Sequence, residues 1–91
     1  MTETKLNNLF RSKAPLGNPE VPGQYVVTPG IAALPAYKKR QMWAKVRSQK
    51  NSAIHNNDFG TIQLDNTPLI FWKIDVIKHE RILTIMLASE Y

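Results

Sequence analysis

Residues 69–77, LIFWKIDVI, and 81–88, RILTIMLA, decide the fold. Apolar and mixed positions alternate through the first run. In an extended chain Ile70, Trp72, Ile74 and Val76 point to one face, and Leu69, Phe71, Lys73 and Asp75 to the other. The second run alternates likewise, with Leu83, Ile85 and Leu87 on one side and Ile82, Thr84 and Met86 on the other. Only Lys78, His79 and Glu80 connect them, a link too short for anything but antiparallel neighbours. The face carrying Phe71, Lys73, Asp75, Ile82, Thr84 and Met86 is too apolar to be wholly wet. Either the N-terminal segment or another chain is expected to cover it.

Working outward, residues 59–64, FGTIQL, read as a further strand, closed by the turn cluster Asp65-Asn66-Thr67-Pro68. Residues 50–57, KNSAIHNN, have no period and read as a loop. Before them, 35–49 reads as an amphipathic helix, with Pro35 tolerated in its first turn and Met42, Trp43 and Val46 on one stripe with Ala36. Trp43 is the expected anchor against the sheet. Residues 24–28, QYVVT, form a short strand ended by Pro29-Gly30. The expected architecture is α+β and two-layered: one amphipathic helix packed on a small antiparallel sheet of three to four strands, in the order β-α-β-β-β. Residues 24–91 make that single domain. Residues 1–23, with Pro15, Pro19 and Pro22, read as an extended N-terminal arm. Within the arm Leu6, Leu9 and Phe10 have the spacing of a short helical turn. It either caps the core or offers a hydrophobic foot to a partner.

Composition narrows the chemistry. Ninety-one residues allow one domain with one modest core. With no cysteine there is no disulfide, thiolate or cysteine-held metal. No apolar run exceeds the four residues of Leu69–Trp72, so no transmembrane span is expected, and the N-terminus lacks the apolar centre of a signal peptide. The expected compartment is the cytoplasm. His55 with Asp58, and His79 beside Glu80, fall short of the three or four converging ligands a metal requires. Ser12, Ser48, Ser52 and Ser89 lack a nucleophile elbow, and Gly17, Gly23, Gly30 and Gly60 form neither a P-loop nor a dinucleotide fingerprint. Asp75 and Glu80, beside Lys73 and Lys78, read as surface ion pairs rather than an acid–base pair. Neither enzyme nor cofactor is expected.

Charge is the strongest remaining signal. Twelve Lys and Arg against seven Asp and Glu give a formal +5. Residues 36–57 hold six basic residues and no acid, while the rest of the chain is nearly balanced. That pattern argues against DNA mimicry and for an acidic or nucleic-acid-containing partner surface. The candidate contacts are Lys38, Arg40, Lys45 and Arg47, expected to share the helix face opposite Trp43. Phe10, Phe71 and Met86 are the candidate apolar anchors.

YVVTPGIAALP, DFGTIQL, IFWKID and RILTIMLASEY occur in this order over about residues 25–91. Together they resemble a family of small bacterial proteins, many carried on plasmids and phages and known only as a domain of unknown function. The signature is FWKID followed by LTIMLAxEY. Compared with that family, this chain looks divergent and shortened. Gln49–Asn57 holds no acid where the family has an acidic loop, and only Val76 to Glu80 stands where it has a long acidic insertion. The resemblance implies a mobile-element context and no reaction. With the small size it points to a non-catalytic inhibitor or adaptor, concretely an inhibitor of a bacterial defence complex of the anti-CRISPR type. The alternatives are a basic nucleic-acid-binding accessory protein and a homodimer whose second sheet face meets its own copy.

Overall fold

In the computed structural model, which describes residues 2–49 and 57–91, the chain runs α1 (Glu3–Ser12), β1 (Gly23–Val27), α2 (Pro29–Ala32), α3 (Ala36–Ser48), β2 (Phe59–Ile62), β3 (Ile70–Ile77) and β4 (Glu80–Leu87), closing in a 3-10 turn (Ala88–Glu90). The fold is α+β, with helices packed on one four-stranded sheet in the order β1-β4-β3-β2. The expected loop over 50–57 lies, except for Asn57, outside the described residues, as does His55.

The alternation in residues 69–88 becomes the central hairpin. β3 and β4 pair antiparallel from Ile70↔Leu87 to Ile77↔Glu80, and β2 pairs antiparallel with β3. The connection at Lys78-His79 has positive φ at both residues, 49° and 70°, the left-handed geometry of a tight two-residue turn. Trp72, wholly buried, lies across Gly60 on β2, where any side chain would collide with the indole ring.

Two features differ from expectation. The sheet is mixed rather than antiparallel, because β1 lies parallel to β4, from Gly23↔Arg81 to Val27↔Ile85. The chain between β1 and β4 contains α2, α3 and the β2–β3 hairpin, and that length permits a parallel return. Second, residues 1–23 are not an extended arm, since residues 3–12 are helical. Thr2 caps α1 by accepting the Lys5 N–H at 3.2 Å, and Glu3 sits favourably in the first turn.

Two buried arginines hold α1 in place. Arg81 of β4 donates to Asn7 Oδ1 at 2.8 Å and to Glu3 Oε2 at 2.6 Å. Arg11 of α1 donates through Nη1 to the Val46 and Gln49 carbonyls, at 2.9 and 2.8 Å. These are the orphan carbonyls at the C-terminus of α3, so Arg11 acts as that helix's cap. Its guanidinium also lies 4.6 Å over the Trp72 ring. Arg47 returns the favour by donating to the Ala14 carbonyl just past α1, at 2.9 Å. Phe10, with no exposed surface, stacks on Tyr25 at 4.4 Å, and the Tyr25 hydroxyl donates to the Phe10 carbonyl at 2.5 Å. Gly23 is needed because the Phe10 ring and the Arg81 carbonyl occupy the space of a side chain.

Thus α1 and α3 share one face of the sheet. Met42 and Val46 are the buried residues of α3, whereas Trp43, the expected anchor, is half-buried and meets Tyr25 edge-on at 6.2 Å. The N-terminal segment does not cover the second face.

Candidate binding surface

The four basic candidates of α3 do not form one surface. At about 100° per residue, Lys38 and Lys45 make one stripe, while Arg40 and Arg47 make another on the opposite flank of the helix. Only the lysine stripe lies opposite Trp43; the arginine stripe runs beside it. The buried Met42–Val46 line separates the two. Lys38 Nζ donates to the Asn66 carbonyl in the β2–β3 connection at 3.0 Å, and Arg47 is engaged with Ala14. Lys45 and Arg47 occupy the last turn of α3, where cations offset the helix dipole. A helix face separates charges by angle, and the spacing of three and four that joins Lys38 to Lys45 through Gln41 leaves out both arginines.

The apolar candidates divide as well. Phe10 is in the core and Met86 is 4% exposed, so neither can anchor a partner. Helical spacing cannot show which side of α1 meets the sheet, and Met86 sits in the central strand paired with Phe71 across β3. Phe71 alone belongs to an accessible surface. It lies on the helix-free face with Phe59 and Tyr91, the three rings meeting at 5.3, 5.7 and 6.0 Å between centroids. Such tilted and edge-on contacts favour aromatic groups. Tyr91 is 74% exposed. A shallow depression beside it is lined by Asp58, Phe59, Lys73, Ile74, Asp75 and Tyr91, and Lys73 pairs with Asp75 at 3.2 Å.

Phe59 and Tyr91 were not expected. Phe59 shares the parity of Phe71 only once the β2–β3 register is known, since it faces Lys73. Tyr91 is positioned by the turn before it. There Glu90 accepts from the Thr28 hydroxyl at 2.6 Å, the Leu87 N–H at 2.9 Å and the Gly30 N–H at 3.0 Å. The Thr28 hydroxyl, followed by the Leu87 and Gly30 amides, holds the Glu90 carboxyl below its usual 4.5. This clip ties the end of the chain to the β1–α2 junction.

Among the described residues no group of three His, Asp or Glu side chains converges to hold a metal ion, and no helix is long and apolar enough to cross a membrane. Compared with protein-family models, curated proteins and solved structures, the chain finds no match.

Proposed function

We propose that this chain is a non-catalytic binding protein that acts by occupying another protein's surface, in its concrete form an inhibitor of a bacterial defence complex of the anti-CRISPR type. One observation carries the reading: the helix-free sheet face presents the Phe59–Phe71–Tyr91 cluster next to half-buried Ile82 and Thr84, with Lys73 and Asp75 at its margin. Rigid aromatic anchors ringed by charge suit an apolar protein patch with a polar rim. The mobile-element context rests on the family resemblance.

The test is affinity capture from bacterial lysate, with and without nuclease, at low and high salt. A discrete complex that survives both treatments is expected. Tyr91→Ala and Ile82→Lys should each weaken it by about tenfold or more, as for anchor residues. Loss of every partner after nuclease would overturn the reading.

The second reading, a basic nucleic-acid-binding accessory protein, is favoured by the acid-free charge run at 36–57. Of the four candidates on its two flanks, Lys38 and Arg47 are engaged, and Arg40 and Lys45 have no hydrogen-bond partner among the described residues. The aromatic face is a poor stacking platform, because its rings meet one another and Asp58 and Asp75 would repel phosphates. A gel shift abolished by changing Lys38, Arg40, Lys45 and Arg47 together to Ala would support this reading.

A further inference from the structure

The two edges of the sheet are finished differently. On β2, Ile74 donates to the Asp58 carbonyl, which sets the ladder so that Gly60 and Ile62 pair inward and Thr61 turns outward. The outward Thr61 carbonyl is taken by Gln49 Nε2 at 2.6 Å, while Gln49 Oε1 accepts the Trp72 indole N–H at 2.8 Å. The end of α3 therefore takes the Thr61 carbonyl of that edge.

On β1 the Arg81 N–H donates to the Pro22 carbonyl and the Thr28 N–H donates to the Ile85 carbonyl, both at 3.1 Å. A parallel ladder alternates, so Pro22, Gln24, Val26 and Thr28 face β4. The main-chain groups of Gly23, Tyr25 and Val27 face away, and among the described residues nothing hydrogen-bonds to them. Val26 and Val27 are 40% and 37% exposed, and the strand carries no charge. Natural edge strands are ordinarily blunted by lysine, proline, a bulge or a covering element. Within β1 none of these is present.

We propose that the β1 edge is a self-association site, where a second copy of this chain pairs antiparallel across a twofold axis at Tyr25 to form one continuous eight-stranded sheet. Gly23 then faces Val27 of the partner subunit, and Tyr25 faces Tyr25 of the partner subunit. Each facing pair exchanges two main-chain hydrogen bonds. Two features suit pairing with a second copy. An uncharged strand puts no like charges opposite each other, although the molecule carries +5. Pro22 and Pro29 bracket the strand and permit a single short register. Both outer edges of the joined sheet are then β2 edges, where Gln49 already takes the Thr61 carbonyl.

The experiment is sedimentation equilibrium of the whole chain from low micromolar to sub-millimolar concentration, with amide hydrogen exchange over the same range. A monomer–dimer equilibrium is expected, and exchange at Tyr25 and Val27 should slow about tenfold as the dimer fills, with Thr61 unchanged. Val27→Pro removes an outward donor that makes no bond within the protomer. It should stay monomeric at every concentration with an unaltered circular dichroism spectrum. A wild-type chain monomeric throughout would overturn the proposal. So would a dimer that Val27→Pro leaves intact, or exchange at Tyr25 and Val27 that ignores concentration. If Val27→Pro does not fold, the wild-type exchange decides alone.

Discussion

The same three strands, β2, β3 and β4, write both faces of the sheet, and both faces are apolar enough to be mistaken for a core. On one, Ile62, Ile70, Trp72, Leu83 and Ile85 are sealed beneath α1 and α3. On the other, Phe59 and Phe71 are sheltered by each other and by Tyr91. Apolar area does not separate them. What separates them is polar anchoring: Arg81 to Asn7 and Glu3, Arg11 to the end of α3, and Gln49 to Trp72 and Thr61 all act on the covered side. Hydrophobic burial has no direction, whereas hydrogen bonds to buried groups do, and they select the face on which the helices settle.

That contrast can be broken by mutation. Trp72→Ala should cost about 3–5 kcal/mol, read as a lower urea midpoint, because it opens a cavity beneath both helices and leaves the Gln49 side-chain Oε1 without its donor. Arg11→Met should cost about 2–3 kcal/mol, since it leaves the Val46 and Gln49 carbonyls without donors, and α1 should lose amide protection before the hairpin does. On the open face Phe71→Ala should cost less, about 1–2 kcal/mol, because water already reaches that ring. A loss equal to that of Trp72→Ala would mean the two faces are equally covered in solution.

The remaining tests sharpen the comparison at smaller scale. Replacing Lys78-His79 by Asn-Gly should raise stability by about 1 kcal/mol, since both positions have positive φ and the hairpin bears both faces equally. Glu90 lies outside the core and its contribution depends on pH. Its folded pKa lies below 4.5, so it stabilises the fold fully above the unfolded value, and that stabilisation is lost as pH falls through the folded one. Glu90→Gln should lower the melting temperature at neutral pH and flatten its decline from about pH 5 to pH 3. Lys73→Ala should change stability by no more than about 0.5 kcal/mol, the scale of an exposed ion pair.

Of the binding surface, Phe71, Lys73, Asp75, Ile82 and Thr84 follow from parity along two strands. Phe59 requires the register of a third strand, and Tyr91 requires a carboxylate clip whose partners, Thr28 and Gly30, lie 62 and 60 residues away from Glu90. The basic residues are visible as a charge run. Their division into two flanks is a matter of helical angle and of what each side of α3 meets.

The sequence by itself determined the elements whose period repeats within a few residues: the β3–β4 hairpin, its two faces, the strand at Phe59 and the helix at Ala36–Ser48. Tertiary structure decided that Glu3–Ser12 is a docked helix, that β1 runs parallel to β4 and that Phe10 is core rather than anchor. The reason is range. Alternation is enforced between neighbours by the geometry of the backbone, so it can be read locally. The placement of α1 depends on Arg11 finding carbonyls 35 and 38 residues away and on Arg81 finding Asn7 and Glu3 across 74 and 78 residues. Contacts of that separation leave no periodic trace in the chain, and they form only when the sheet has already brought their donors and acceptors together.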